Sequence, residues 1–338
     1  MLANERPTIA ITMGDPCGIG PEVVVKALSD PRVYASCRPV VVGNSFAMRQ
    51  AVQLTGLPLT INESSDPTTA GEHPGVVDVV DIHNLNPEDI TVGQISIPCG
   101  KAAMEWVSKA GQLALAGIVD GLATAPLNKE AASLAGFQSI GHMELLQELS
   151  GAKTVATMLL ARNLRVVHLT THRSLRLACD YVKKARILDF LQLTHDSFVK
   201  WGFTDPRIAA AALNPHGSDG GLLGSEEAEE IAPAVKEARE RGINVVGPIP
   251  ADIVFHQAIQ GRYDTVLCMY HDQGHIPVKV YGFAESITAN LGLPFVRTSV
   301  DHGTAFDIAG KGIADPTSML ESIRLAVGLA RGNGLSDF

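Results

Sequence analysis

Residues 8–28, TIAITMGDPCGIGPEVVVKAL, determine how the fold of this chain begins. An apolar run at 8–13 precedes a glycine-rich turn. Pro21 and Glu22 then follow, and both are typical of the first turn of a helix. The stretch therefore predicts a strand, a tight turn and a helix, which together make one βα unit.

The same order of apolar run and amphipathic stretch recurs along most of the chain and predicts an α/β fold with a largely parallel sheet. Further strands are predicted at 40–42, 76–82, 119–123, 154–160, 165–170, 207–213, 244–246 and 265–270. Helices are predicted at 21–28, 101–116, 142–149, 187–199, 226–241 and 316–330. Because no linker rich in proline, glycine or serine divides the chain, two domains would be interleaved.

Composition limits the class of protein. The 338 residues are 46% hydrophobic and 19% charged, which indicates an ordered globular protein rather than a disordered or fibrous one. The net charge of −9 disfavours nucleic acid as a partner, whereas a few placed cations could still hold an anionic metabolite. The five cysteines form no C-x-x-C pair and no long apolar run occurs, so we expect a cytoplasmic protein with reduced thiols and no membrane partner.

Three histidines, His172, His216 and His271, each follow the end of a predicted strand. In open α/β sheets, ligands bind outside the carboxyl ends of the strands. Three neutral imidazoles meeting at one such edge would make a half-open site for a divalent metal. The alternative for each of them is an ordinary loop histidine. Asp252 is a further candidate oxygen ligand or orienting group.

The segment HDQGHIPVK begins at His271 and ends at Lys279. His271 and His275 have the i,i+4 spacing that would face one metal on a helix, but Gly274 and Pro277 predict a shaped loop instead. Lys279 is a candidate to hold a carboxylate or phosphate, or to donate a proton. The alternative is a solvated surface lysine.

Two glycine-rich loops are candidate nucleotide sites. The glycines of the first, at 14–22, lack the G-x-G-x-x-G spacing, so a Rossmann site is not predicted. The second, DHGTAFDIAGKGIADP at 301–316, would let a ligand approach the backbone closely. Within it, His302 and Asp307 could hydrogen-bond a ribose or a base.

Several blocks together identify a family. They are GDPCGIGPE at 14–22, GHMELL at 141–146, TTH at 170–172, NPH at 214–216, YHDQGHIPVK at 270–279 and LGLPFVRTSVDHGTAFDIAGKGIAD at 291–315. In this order they resemble the 4-hydroxythreonine-4-phosphate dehydrogenase family, from residue 8 to about residue 330. The last block is also similar to the NAD-binding loop of isopropylmalate and isocitrate dehydrogenases.

The resemblance implies two interleaved α/β/α domains with the active site in the cleft, in a homodimer. Residues 1–128 and 285–338 would form an NAD-binding domain, and residues 129–284 a metal- and dimer-forming domain. It further implies a metal site of His172, His216 and His271, two from one subunit and the third from the other. The other implied residues are, for substrate, His142, Met143, Lys279, Thr288, Asn290 and Arg297, and, for cofactor, Gly14, Asp15, His302, Gly303, Asp307, Gly310 and Asp315.

The implied chemistry is oxidation of a hydroxyl by NAD with one divalent metal per subunit (Zn, Co, Mn or Mg), followed by decarboxylation of the β-keto acid. Lys279, His142 and Asp252 are the candidate catalytic residues, and Arg297 suits a bidentate contact to phosphate or carboxylate. NAD is favoured over NADP because the loop at 302–315 has no arginine to pair with a 2′-phosphate.

Two positions depart from the family pattern. Met143 replaces a threonine, and Thr288 stands where the family has an asparagine, with Asn290 close by. The loss of such polar contacts disfavours the vitamin B6 precursor as substrate. These departures and His275 favour 4-phospho-D-threonate or 4-phospho-D-erythronate. The alternatives are a terephthalate-type cis-dihydrodiol, which an apolar Met143 would suit, and a catalytically silent homologue that binds only NAD or a metabolite.

Overall fold

The apolar runs form strands connected by helices. The computed structural model describes residues 6–64, 66–139 and 141–333. Its strands are β1 (Thr8–Thr12), β2 (Arg38–Val42), β3 (Thr60–Glu63), β4 (Val76–Val80), β5 (Gly121–Thr124), β6 (Ala156–Ala161), β7 (Leu164–His168), β8 (Ile208–Ala211), β9 (Val245–Ile249), β10 (Thr265–Cys268), β11 (Ile287–Leu291) and β12 (Val296–Val300). Its α-helices are α1 (Gly20–Leu28), α2 (Pro31–Ser36), α3 (Ser45–Thr55), α4 (Ile97–Leu115), α5 (Lys129–Leu134), α6 (His142–Ser150), α7 (Leu175–Asp180), α8 (Lys184–Lys200), α9 (Ala232–Glu240), α10 (Ala251–Ile259), α11 (His271–Tyr281) and α12 (Thr317–Arg331).

The chain divides into two compact units, the first made of residues up to Lys153 with Leu293–Arg331, and the second of Thr154–Gly292. The chain thus leaves the first unit and returns to it, as expected for interleaved units. The dividing points lie later than the predicted 128/129 and 284/285. Both α5 and α6 pack on α4, which keeps them in the first unit, and β11 pairs with β6, which keeps it in the second.

The strands of the first unit are all parallel and lie in the order β3-β4-β2-β1-β5-β12. In the second unit the order is β11-β6-β7-β10-β8-β9, where β6 is antiparallel to both its neighbours and β7, β10, β8 and β9 are parallel. Central strands such as β1 and β10 are buried along their whole length, which explains their nearly continuous apolar sequences.

All the predicted strands are present, with ends shifted by a few residues, whereas β3, β11 and β12 were not predicted from the sequence. The strand β12 is wholly buried although its sequence is VRTSV. Its polar side chains have partners: Thr298 Oγ1 donates to the carbonyl of Leu122 and Ser299 Oγ to that of Thr124. Polar groups that find such partners inside a sheet conceal a buried strand from hydrophobicity patterns.

The prediction of a shaped loop over HDQGHIPVK is wrong, because His271–Tyr281 is the helix α11, with Pro277 in its interior. Tertiary packing overrides the poor helix propensities of Gly274 and Pro277. A Cβ at position 274 would lie 2.5 Å from His168 Nε2 and 2.7 Å from Cys268 Sγ. Glycine at this position therefore allows α11 to lie directly against β7 and β10.

We expect Gly274→Ala to destabilise the protein by about 1–3 kcal/mol, because the clash outweighs the better helix propensity of alanine. Urea unfolding would measure the free energy of unfolding. Gly303→Ala is the matched control, since a Cβ there meets no atom within 4 Å, and it should change stability by less than about 0.5 kcal/mol. Equal stability of Gly274→Ala and wild type would contradict the close approach of α11.

Candidate active site

In the first unit, the turn after β1 packs against the second glycine-rich loop. Ile19 N donates to the carbonyl of Thr304 at 3.0 Å, and a Cβ at Gly18 would lie 2.6 Å from that same oxygen. Gly14 has φ +75 and leaves no room for a Cβ beside the carbonyl of Pro126. The structure thus brings the two glycine-rich loops of the sequence together, and it does so at positions where a side chain would not fit.

Helix α1 holds the end of this second loop. Glu22 Oε1 accepts from the backbone N of Ala314 at 2.7 Å. Lys26 Nζ donates to Glu22 Oε1 and to the carbonyls of Gly312 and Ala314, at 2.7, 2.9 and 2.7 Å. A cavity of about 450 Å³ adjoins these elements and is lined by residues that include Gly18, Glu22 and Gly310. It is large enough for part of a nucleotide.

The cofactor candidates on the second loop have different surroundings. His302 Nδ1 lies 3.0 Å from the carbonyl of Gly303, and its buried Nε2 has no hydrogen-bond partner within the described residues. Asp307 is exposed. Asp315 Oδ1 instead accepts from both the backbone N and the hydroxyl of Thr317, so its contacts begin helix α12.

Asp15 is a carboxyl group buried in the first glycine turn. Its Oδ1 accepts from Cys17 N at 2.8 Å, whereas Oδ2 has no hydrogen-bond partner among the described residues. Burial raises the pKa of Asp15 to about 6, against the opposing effect of the Cys17 hydrogen bond.

A group of basic side chains lies at the start of α6 and on β12. Arg297 is 5% exposed, and its Nη2 donates to Thr124 Oγ1 at 2.7 Å. Burial lowers the pKa of Arg297, and Glu144 opposes that effect. The pKa of His142 is well below its usual range because of burial and then of the positive charges of Arg297 and Lys129. His142 is thus a neutral imidazole, and its buried Nε2 makes no hydrogen bond within the described chain.

In the second unit, His172, His216 and His271 follow β7, β8 and β10. Because β10 is parallel to both β7 and β8, the three carboxyl ends lie at the same edge of the sheet. The rings of His172 and His271 have their centroids 5.8 Å apart. Gln273 ties the ends of two of these strands together, since it donates to the carbonyl of Ala212 and accepts from Met269 N, both at 2.7 Å.

Two of these histidines have a carboxylate on one ring nitrogen. His271 Nδ1 lies 2.6 Å from Asp272 Oδ1, and His216 Nδ1 lies 3.0 Å from Asp219 Oδ2. The hydrogen bond to Asp219 raises the pKa of His216, and Asp252 adds a smaller effect. A carboxylate on Nδ1 leaves Nε2 as the acceptor, which is the usual state of a metal-binding histidine. One chain by itself, over its described residues, contains no group of three or more side chains arranged to hold a metal ion.

The remaining predicted residues are distributed over both units. Lys279 lies on α11, where Nζ donates to Ser286 Oγ at 3.0 Å and stands 4.8 Å from the centre of the Phe283 ring. Thr288 and Asn290 lie on β11, opposite Leu159 and Thr157 of β6. Met143 follows His142 in the first turn of α6, and Asp252 lies in the first turn of α10.

His168 and the two carboxylates that contact the histidines were not predicted from the sequence. His168 is the last residue of β7 and is 1% exposed. Its Nε2 lies 3.0 Å from His275 Nδ1. The signal for it in the sequence is that His168 is a polar residue at the end of the apolar run LRVVH. Asp272 and Asp219 lie one and three residues after their histidines, positions that a search for candidate ligands alone does not select.

Comparison with known proteins decides the family. The model of the family described as "Pyridoxal phosphate biosynthetic protein PdxA" matches residues 35–326. The chain belongs to this family. A relative from Symbiobacterium thermophilum, named "Putative D-threonate 4-phosphate dehydrogenase", is 44% identical over 322 residues, which are 95% of this chain and 96% of the relative.

Two solved structures extend the comparison. A 4-hydroxythreonine-4-phosphate dehydrogenase from Klebsiella pneumoniae is 42% identical with a TM-score of 0.90, and the match covers 97% of this chain and 99% of that one. A terephthalate 1,2-cis-dihydrodiol dehydrogenase from Burkholderia xenovorans LB400 is 30% identical with a TM-score of 0.67, and the match covers 95% of this chain and 98% of that one.

These matches confirm the family resemblance and the α/β fold class predicted from the sequence, and they make this member of the PdxA family an oxidoreductase. Over the described residues, none of the helices has the length and apolar character needed to cross a bilayer.

Asp15→Asn should stabilise the protein relative to wild type as the pH rises. The raised pKa means that folding disfavours ionisation of Asp15. The free energy of unfolding of wild type should therefore fall by up to about 3 kcal/mol between pH 4 and pH 7, and that of the variant should not show this fall. Urea unfolding of both proteins across this range measures the difference.

Asp30→Asn is the control. A hydrogen bond from Arg32 lowers the pKa of Asp30, so Asp30 changes its protonation state only below about pH 4. The difference in free energy of unfolding between Asp30→Asn and wild type should therefore be constant from pH 5 to pH 8. A flat difference between Asp15→Asn and wild type would show that Asp15 is ionised without cost.

Proposed function

We propose that the chain is an NAD- and divalent-metal-dependent dehydrogenase of a 4-phosphorylated C4 hydroxy acid, with 4-phospho-D-threonate or 4-phospho-D-erythronate as substrate and decarboxylation after oxidation. The observation that carries the proposal is the cluster of basic side chains formed by the buried Arg297, the partly buried His142 and the exposed Lys129, in an oxidoreductase of this family. A charged guanidinium that is almost fully buried favours an anionic ligand, because such a ligand offsets the cost of its desolvation.

His172, His216 and His271 are the proposed metal ligands. Two of them have Nδ1 on a carboxylate and Nε2 as the acceptor, and imidazole nitrogen suits zinc, cobalt or manganese better than magnesium. As the resemblance to the family implies, we propose a homodimer in which a histidine of the second subunit completes the site.

The two glycine-rich loops of the first unit are the proposed NAD site. Gly14 and Gly18 bring the backbone of the first turn close to its neighbours, and Lys26 and Glu22 hold the end of the second loop. The buried Nε2 of His302 would accept a hydroxyl hydrogen bond from the ribose. NAD is favoured over NADP because Lys311 is the one cationic side chain of the 302–315 sequence, which contains no arginine.

A bound divalent cation acidifies a coordinated hydroxyl group, and the nicotinamide ring accepts the hydride. The protein then has to bind, orient and move protons. Arg297 presents a fork of N–H donors that matches phosphate or carboxylate oxygens. His142 is neutral, so its Nε2 can accept a proton from a hydroxyl group. The ammonium of Lys279 can orient a carboxylate or return a proton. Asp219 already contacts Nδ1 of His216, so the carboxylate of Asp252 would act on that ring through its charge.

A cis-dihydrodiol of terephthalate type is the second candidate substrate. Met143 favours it, because an apolar side chain beside His142 suits an aromatic-type ring, and the relative from B. xenovorans carries that name. Arg297 would then hold a carboxylate on the ring instead of a phosphate or carboxylate of an acyclic acid.

The decisive experiment measures NADH formation with added Mn²⁺ for 4-phospho-D-threonate, 4-phospho-D-erythronate, 4-phosphohydroxy-L-threonine and the cis-dihydrodiol, side by side. We expect the fastest turnover with one of the first two, and none after the metal is removed by a chelator. Turnover of the dihydrodiol alone would overturn the proposed substrate class, and unchanged turnover in chelator would overturn the metal.

Arg297→Met should lower kcat/KM for the phosphorylated acid by about 100-fold or more, since it removes a charge-assisted bidentate contact. Arg241→Met is the matched control, because Arg241 is an exposed residue directly after α9 and pairs with Glu237. Its activity should equal that of wild type. A thermal melt of each variant confirms that the protein is folded.

A further inference from the structure

The second unit contains a series of four imidazoles in contact, and two of them, His168 and His275, are not among the proposed metal ligands. His168 and His275 have ring centroids 4.6 Å apart, His275 and His271 have centroids 3.6 Å apart, and His271 and His172 have centroids 5.8 Å apart. His168 is buried beneath α11, and His275 lies between it and His271. A buried polar ring costs desolvation that a leucine would avoid, so His168 calls for an explanation.

The hydrogen bonds fix the positions of the protons on the two additional rings. His168 Nδ1 lies 3.4 Å from the carbonyl of Thr157, which can only accept, so Nδ1 carries the hydrogen and Nε2 is the acceptor. His275 Nδ1 lies 3.0 Å from that Nε2 and 3.1 Å from the carbonyl of His271, so it must be the donor to both. His168 is therefore a neutral Nδ1–H tautomer, and the ring of His275 carries a hydrogen on Nδ1.

The stacking geometry excludes His275 as a second ligand beside His271. The two rings are nearly parallel, with an interplanar angle of 13° and centroids 3.6 Å apart. An imidazole lone pair lies in the plane of its ring, so two parallel rings stacked face to face cannot both aim at one ion. His275 is instead a flat surface against which the ring of His271 rests.

We propose that His168 and His275 are a positioning pair that fixes the orientation of the His271 ring. Asp272 holds the edge of that ring through Nδ1, and His275 holds its face. His168, anchored on Thr157, keeps His275 in place, and Gly274 leaves the space that His168 occupies against α11. The proposal rests on the proposed function, because it gives the pair a purpose only if His271 binds a metal.

The test measures Co²⁺ binding to the metal-free full-length protein by calorimetry, together with the absorption spectrum of the Co²⁺ complex. His275→Leu removes both the flat ring and the donor. It should weaken Co²⁺ binding about tenfold, the usual effect of losing a partner of a metal ligand. His275→Asn keeps an N–H donor without the ring and should be equally weak, whereas His275→Phe keeps the ring and should stay within about threefold of wild type. His73→Leu, an exposed histidine of the first unit, is the control.

Two results would overturn the positioning pair. Wild-type Co²⁺ affinity in His275→Leu and in His168→Leu would show that the pair only fills space. A changed position of the Co²⁺ absorption bands in His275→Leu would show that His275 is itself a ligand. Unchanged bands with weakened binding support the proposal.

Nitrogen-15 spectra of the histidine rings separate this proposal from the proposed function. In metal-free wild type, His168 and His275 should both be Nδ1–H tautomers, and His275→Leu should change the shifts of His271. If His271→Ala binds Co²⁺ as tightly as wild type, the proposed metal site is wrong. In that case the nitrogen-15 shifts alone test whether His168 and His275 position the His271 ring. Unchanged His271 shifts in His275→Leu would overturn the positioning pair.

Discussion

Parallel hydrogen bonding of β10 to both β7 and β8 is the constraint on which the second unit depends. It brings three strand ends to one edge, and therefore three histidines that are 44 and 55 residues apart in sequence. Parallel pairing also requires long crossover connections. The segment from β7 to β8 contains α7 and α8, and the segment from β8 to β10 contains α9, β9 and α10. Gln273 then joins the ends of β8 and β10 by two hydrogen bonds.

In the first unit, the candidate residues are distinguished by their burial and their charge and not by the pairing of strands. Arg297 is buried and His142 is partly buried, and burial disfavours the charged state of both side chains. Burial also disfavours the charged form of Asp15, and for a carboxyl group this raises the pKa instead of lowering it. Such groups reduce stability in the absence of a ligand, and a ligand of suitable charge can offset that loss.

The sequence predicted the elements that obey a simple pattern. Apolar strands such as β1 and β10 and their following turns were recognisable, and so was the placement of His172, His216 and His271 after strand ends. It failed where tertiary contacts override local preference. The buried strand β12 contains arginine, threonine and serine, and α11 contains glycine and proline, so each contradicts its own local signal. The carboxylates on His216 and His271 and the contact between His168 and His275 depend on geometry that spacing does not encode.

The interleaved connection of the two units has a consequence for the time at which each can fold. Strand β12 completes one side of β5, yet it is synthesised only after residues 154–292 have been added. At about 5–20 residues per second, β5 keeps an open edge for on the order of ten seconds on the ribosome. The second unit can finish folding before the first, so the order of synthesis and the order of completion are reversed.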